Sequence, residues 1–240
     1  QHQLSGVNST QKNRKQIMKV IIYGASGMVG RGVLNQCLSA TDVDKIVIVV
    51  RKSLNLSHEK LSEIIVPDLS KTSYLDVIQN FDACFYCLGL SSSNVSEAKY
   101  TAINYDLTIN VAQSLEVSNP TMSFIYVSGA GTDSTEQGKS MWARVKGRTE
   151  NTLKVMKFRS VYLFRPAMIQ PLDGIESQTT SYRLFYKFLK PFFPIIQRIT
   201  PNALLTTQSI GDAMLNAVRF GYPTQILEVK DIVQLSKIKA

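Results

Sequence analysis

Apolar residues in this chain fall into short, β-branched runs separated by stretches of helical spacing. From Lys19 onward that alternation is the sequence form of repeated βαβ units around a parallel sheet. Val20-Ile21-Ile22-Tyr23 reads as a first strand, followed by a glycine-rich turn and a helix to about Ser39. Ile46-Val47-Ile48-Val49-Val50 is apolar without interruption, as a central strand covered on both faces requires. Glu63-Ile64-Ile65-Val66 predicts a third strand, and Ala83-Cys84-Phe85-Tyr86-Cys87-Leu88 a fourth that ends at Gly89. Helical spacing returns from about Glu97 to Glu116. Phe124-Ile125-Tyr126-Val127 then predicts a fifth strand ending at Ser128, Ser140 to Lys157 a helix, and Ser160-Val161-Tyr162-Leu163-Phe164 a sixth strand closed by Arg165-Pro166. Beyond this the regularity fades. Tyr182 to Lys190 is aromatic and basic and is interrupted by Pro191-Phe192-Phe193-Pro194, while 209–218 is again helical and Ile226-Leu227-Glu228-Val229 a short strand. The pattern predicts an α/β fold, a Rossmann-type doubly wound parallel sheet in one domain over 19–240. A flexible leader, 1–18, precedes it, and a small C-terminal substrate-facing lobe is drawn mainly from 170–205 and 220–240.

Composition narrows the class. No apolar run approaches the roughly 18 residues that cross a bilayer. Three cysteines, Cys37, Cys84 and Cys87, are too few and too irregular for a disulfide framework, which points to a reducing compartment and a cytoplasmic protein. Cys84 and Cys87 lie three apart on a strand and so point to opposite faces, unsuited to a metal or redox pair. The net charge of +9 is scattered: Lys12, Arg14, Lys15 and Lys19 lie in or beside the leader, and Lys139, Arg144, Lys146 and Arg148 fall near the expected cofactor site. No nucleic-acid recognition motif accompanies them, and a cofactor bearing several phosphates accounts for part of the excess. The leader, Gln1 to Gln16, has no acids and no long apolar core, which fits a disordered extension rather than a secretory signal; a transit segment is the alternative. The aromatic, basic stretch near residue 185 permits peripheral membrane contact, but its prolines limit an interfacial helix.

Gly24-Ala25-Ser26-Gly27-Met28-Val29-Gly30 has G-x-x-G-x-x-G spacing between a strand and a helix. Glycines let backbone approach a pyrophosphate, and the helix start supplies N–H donors and a positive dipole. After the second strand stand Arg51-Lys52, where an acid would accept from an adenosine ribose and an arginine accommodates a 2′-phosphate. NADP(H) is therefore the expected cofactor, with NAD(H) as the alternative. Asp68 and Leu69 after the third strand are positioned to border the adenine, and Leu88 and Gly89 after the fourth to let the cofactor pass close to backbone.

In this order and spacing, the glycine loop, Val50-Arg51, Tyr86-Cys87-Leu88-Gly89, Val127-Ser128-Gly129-Ala130, Val145-Lys146-Gly147-Arg148-Thr149-Glu150 and Phe164-Arg165-Pro166 resemble one family. It is the NAD(P)-dependent epimerase/dehydratase group of atypical short-chain dehydrogenases, in its Tat-interacting-protein-like oxidoreductase branch, and the likeness runs from about Lys19 to Ala217. The resemblance implies a catalytic serine, Ser128, to polarise a substrate carbonyl or hydroxyl. It also implies a lysine, Lys146, that holds the nicotinamide ribose and lowers the pKa of a tyrosine one helical turn earlier. That tyrosine is absent: Trp142 stands in its place, and an indole N–H donates but does not exchange a proton as a phenol does. Trp142 either stacks over nicotinamide or substrate, or fills space. The resemblance further implies that Asn104 supports the catalytic helix and that Pro166 and Met168 border the nicotinamide. Tyr100 and Tyr105 are candidate replacement acids. His58 reads as a surface residue.

Two functions remain open. One is an NADP(H)-binding oxidoreductase or epimerase-like enzyme acting on a small carbonyl or alcohol. The other is a catalytically weak or inactive NADP(H)-binding regulatory protein that engages a protein partner, with a homodimer also open. Trp142 is the main support for the second.

Overall fold

The computed structural model describes residues 17–172 and 204–239. The expectations for the leader and for the aromatic, basic segment fall on 1–16 and 173–203, outside the described residues.

The strands form a parallel seven-stranded sheet in the order β3-β2-β1-β4-β5-β6-β9. They are β1 (Met18–Tyr23), β2 (Val43–Val50), β3 (Leu61–Ile65), β4 (Ala83–Tyr86), β5 (Ser123–Val127), β6 (Ser160–Phe164) and β9 (Ile226–Leu227). Strand order reverses between β1 and β4, which pair from Val20↔Ala83 to Tyr23↔Tyr86, and at such a switch point the connecting loops diverge and leave a crevice. A second, two-stranded parallel sheet pairs β7 (Met168–Gln170) with β8 (Leu204–Thr206), elements too short to leave a sequence signal.

Side-chain alternation divides the core. Val20, Ile22, Ile46, Ile48, Phe85 and Phe164 face one layer with α1 (Met28–Ser39), α5 (Thr207–Phe220) and α6 (Val229–Ser236). Ile21, Tyr23, Val47, Val49, Tyr86, Phe124 and Tyr126 face the other, with α3 (Leu107–Ser118) and α4 (Met141–Lys154). Cys84 packs into the second layer and Cys87 against the first, the opposite-face placement expected of the pair. Residues 226–236 supply the seventh strand and a helix packed on α5, so this part of the expected lobe belongs to the main sheet and its layer.

Element boundaries differ from the expectations for local reasons. β4 ends at Tyr86, two residues early, because Cys87 and Leu88 turn against the glycine loop: a Cβ on Gly24 would lie 2.7 Å from the Cys87 carbonyl carbon. The helix expected over 97–116 is α2 (Glu97–Thr101), one π-helical turn (Ala102–Asp106) and α3. The widened turn centres on Asn104, and such turns occur mostly as isolated insertions at functional sites.

α1 and α5 pack backbone against backbone. A Cβ on Gly32 would stand 2.3 Å from the Thr207 carbonyl oxygen, and one on Gly211 3.0 Å from that of Gly32. The helix that follows the glycine loop is therefore braced from behind by residues that lie far along the chain.

Candidate functional site

The loop after β1 is built for contact through its backbone. Gly24 has φ +78°, a left-handed conformation that glycine adopts without strain, and a Cβ on Gly30 would lie 2.1 Å from the Gly24 oxygen. Gly27 caps α1, donating to Gly24 O at 2.9 Å, and no acid occupies the helix's first turn. The N–H groups of Met28, Val29 and Gly30 have no acceptor within the helix, which leaves donors and the positive dipole end directed at the crevice. This cradle fits a pyrophosphate, the group an NAD(P) cofactor would place there. Ser26 is exposed on the same loop.

Arg51 and Lys52 are exposed immediately after β2, and among the described residues neither forms an ion pair, which suits them to a 2′-phosphate. Asp68 also lies on the surface, but its Oδ1 accepts from Ser70 N at 3.1 Å and Ser70 Oγ at 2.7 Å. Chiefly through that hydroxyl, its pKa is lowered. Leu69 is buried in the second core layer. The pair expected beside the adenine thus presents a turn-forming carboxylate and a core side chain.

The other half of the site gathers at the ends of β4 and β5. Asn104 Oδ1 accepts from Leu90 N at 3.1 Å while its amide donates to Leu90 O and Tyr100 O, which pins the loop carrying Leu88 and Gly89. Its backbone oxygen accepts from Thr149 of α4 at 3.1 Å, so the π turn ties that loop to the helix bearing Lys146. Gly89 stands close to both: a Cβ there would lie 3.0 Å from Asn104 Oδ1, a tight approach, and 3.8 Å from Lys146 Nζ, an ordinary contact. Lys146 is buried. Its Nζ donates to the Tyr126 hydroxyl at 2.9 Å and to Val127 O at 3.0 Å, and stands 4.6 Å from the centre of the Tyr126 ring. Burial lowers its pKa to about 8, partly offset by Glu150.

Ser128 follows β5, its N–H donating to Phe164 O at 2.7 Å and its hydroxyl 2.9 Å from Thr132 Oγ1. Thr132 donates its single hydroxyl proton to Gly129 O at 2.7 Å, so Ser128 is the donor within that pair, and rotation of its hydroxyl would turn the same proton to a ligand oxygen. Trp142 lies half-buried over the same loop: a Cβ on Gly129 would be 3.6 Å from its Cζ3, and one on Gly131 3.7 Å from its Cη2. The indole is packed on the Ser128 loop, one helical turn before Lys146. Pro166 is buried, and its oxygen accepts from Ala130 N at 2.9 Å; Met168 is half-buried in β7.

Several expected residues are engaged elsewhere. Arg144 makes a bidentate pair with Glu97 at 2.9 Å and holds Gly138 O, and Arg148 stacks on the Tyr105 ring at 4.1 Å. Tyr105 turns its hydroxyl to Thr152, at 3.3 Å. Thr152 is six residues beyond Lys146, about 9 Å along the helix, so Tyr105 is not the replacement acid. Tyr100 is buried. His58 is exposed, its Nδ1 accepting from Lys60 N at 3.2 Å.

Two features escaped the sequence reading. Tyr126 touches Lys146, and its signal was available: it precedes Ser128 by two, the spacing that puts strand residues on one face. Arg165 was read only as part of the turn after β6. It is buried against Glu150 of α4, with Nε–Oε1 at 3.0 Å, and also reaches Glu228 at 3.1 Å and Ser134 at 2.7 Å. Contacts so distant in sequence leave no local pattern.

Comparison with known proteins agrees with this geometry. Residues 20–153, more than half of the chain, match the NAD dependent epimerase/dehydratase family. Protein HTATIP2 of Rattus norvegicus is 25% identical over 159 residues, which span 65% of this chain and 64%, under two thirds, of that protein's own length. A short chain dehydrogenase family protein of Francisella tularensis superposes with a TM-score of 0.64 at 18% identity, covering 91% of this chain and 99% of that one. The Bordetella bronchiseptica enzyme WbmF in complex with NAD+ does so with 0.65 at 14% identity, covering 92% and 77%. At those identities the two structures speak for the fold. Among the described residues no helix is long and apolar enough to cross a membrane, and no cluster of side chains fits a metal ion.

Proposed function

The chain belongs to the NAD-dependent epimerase/dehydratase family, and from that premise we propose that it is an NADP(H)-dependent oxidoreductase or epimerase-like enzyme acting on a small carbonyl or alcohol. The observation that carries this reading is the convergence, at the β1/β4 switch point, of a pyrophosphate cradle, the side-chain-free Gly89 and the buried Lys146. When bound, a nicotinamide cofactor would supply hydride transfer. Gly24 to Gly30 would hold its pyrophosphate through backbone N–H groups, and Arg51 with Lys52 a 2′-phosphate. Lys146 would hold the ribose hydroxyls, Ser128 would orient the substrate oxygen, and Pro166 and Met168 would flank the ring. A cytoplasmic location accords with three cysteines in no disulfide.

The test is a fluorescence titration with NADPH and NADH, followed by NADPH oxidation across aldehydes, ketones and quinones. Tighter binding of NADPH, weakened by Arg51→Ala, supports the reading; equal affinity for the two cofactors removes the NADP preference, and absence of binding removes the whole reading. One observation favours the regulatory alternative: the indole of Trp142 packs where the family carries its proton-exchanging phenol. Tight NADPH binding without turnover of any carbonyl favours that alternative, with a protein partner as the readout of cofactor state. Turnover that survives Trp142→Phe makes the indole N–H dispensable.

A further inference from the structure

Resting on the oxidoreductase reading, we propose that Lys146 is itself the proton donor to the substrate oxygen, with Tyr126 as the positioning residue that holds its ammonium group. The position one helical turn earlier is occupied by Trp142, whose indole keeps its N–H proton near neutral pH, so the donor must come from another side chain at the ends of β4 and β5. Lys146 Nζ carries three protons. Two are directed at β5, to the Tyr126 hydroxyl at 2.9 Å and Val127 O at 3.0 Å, and the third has no acceptor among the described residues, so a ribose hydroxyl and the substrate oxygen would share it. Val127 O belongs to the peptide unit that joins Val127 to Ser128, so the ammonium sits one peptide from the residue assigned to the substrate. On its other side stands Gly89, where even an added Cβ would be 3.8 Å away. No side chain of that residue separates Nζ from the crevice.

The groups around Lys146 suit it to this task. Tyr126, from β5, is neutral, because burial raises its pKa well above the ordinary phenol value; burial raises that of Tyr86, from β4, likewise. Tyr100 is buried on α2, and Asn104, in the π turn, is uncharged. Among the described residues the carboxylate acting on it is Glu150, on the lysine's own helix, whose bidentate partner is Arg165. The balance leaves the ammonium pKa at about 8, close to working pH, where an acid both holds its proton and gives it up.

In carbonyl reduction the carbonyl carbon would gain a hydride equivalent from a bound reduced nicotinamide, and the C=O π pair would move onto oxygen. That oxygen takes one Nζ proton, whose N–H bonding pair stays on nitrogen. The products are the alcohol, oxidised nicotinamide and a neutral lysine amine, which regains its proton from water.

The experiment follows the lysine Nζ by NMR in isotope-labelled full-length protein, assigned with Lys146→Arg, alongside the pH profile of kcat for NADPH-dependent carbonyl reduction. Lys146 is expected to titrate near pH 8 without cofactor, and kcat to fall above the pKa that the same resonance shows with NADP+ bound. Tyr126→Phe removes an acceptor from the charged form, so both the titration and the kcat limb should move down together by roughly half to one pH unit. Lys146→Arg, which keeps the charge but cannot release it, should weaken NADPH binding through the ribose and, at saturating NADPH, still lose kcat by roughly 100-fold. A Lys146 titration above pH 10, or a kcat limb that ignores Tyr126→Phe, overturns the donor while leaving the oxidoreductase reading intact. NADPH binding with no turnover of any carbonyl overturns that reading, and the donor falls with it.

Discussion

Lys146 is a buried cation, and that has a consequence for stability as well as chemistry. Its folded pKa is about 8, against about 10.4 for lysine in an unfolded chain. Between those values the unfolded chain binds more protons, so stability rises as pH climbs from about 8 towards about 10. Below that window the buried charge costs about 3 kcal/mol. Above about 10 the sign reverses, because Tyr23, Tyr86 and Tyr126 have raised pKa values and the unfolded chain loses those protons first. Urea midpoints measured from pH 7.5 to 11 should therefore rise and then fall, and Lys146→Met should flatten the rise while leaving the fall. At the same scale, Trp142→Tyr restores a phenol one turn before Lys146 and should raise kcat by roughly 10- to 100-fold in carbonyl assays, within the usual reach of a positioned acid. The glycine loop between strand and helix and the cation pair at a strand end were legible because their patterns are local, whereas Ser128 and Lys146 were assigned through the family resemblance. Tyr126 was passed over because a tyrosine inside a β-branched run reads first as core, and only the α4 packing reveals that its hydroxyl meets Nζ.

At the scale of elements, the glycine loop keeps its shape because α1 is wedged against α5. Gly32→Ala would put a methyl 2.3 Å from the Thr207 carbonyl oxygen, an atom that cannot swing aside, so the helices must separate. Overpacking of this kind costs about 1–3 kcal/mol. Differential scanning calorimetry should register it as a Tm drop of roughly 2–4 °C per kcal/mol in a domain of this size. The Arg165 junction links α4, β6 and the start of α6 through Glu150 and Glu228. Removing its cation leaves Glu150, wholly buried, without its counter-ion, and Arg165→Met should destabilise by about 3–5 kcal/mol. Adding Glu150→Gln removes the stranded charge, so the double variant should recover part of the loss in urea denaturation. The strands and the long helices were legible from period and β-branching, whereas β7, β8 and the Asn104 π turn were not. The first two are three residues long and are defined by each other, and a π turn keeps helical spacing on both sides.

At the scale of the molecule, the two core layers lie on opposite faces of the sheet, and the connections that leave β1 and β4 go to opposite sides of it. α1 lies in one layer, and the helix that continues as α3 lies in the other. A ligand seated at that switch point touches both, so its binding energy is felt by the fold as a unit rather than by one loop. The two layers also differ in what ties them down: α1 is locked by α5, while the Gly89 loop hangs on the side chain of Asn104. Binding to the native state alone stabilises by about 2.7 kcal/mol at a ligand concentration of about 100 Kd. At roughly 2–4 °C per kcal/mol, NADPH at that excess should raise Tm by about 5–10 °C. Asn104→Ala frees the Gly89 loop from one layer without touching the cradle in the other. It should therefore lower the Tm of the apoprotein, reduce NADPH affinity and leave a single transition when ligand is added. Two separated transitions in the calorimeter, with NADPH shifting only one, would mean that the layers unfold independently and that the cofactor is held by the α1 side alone.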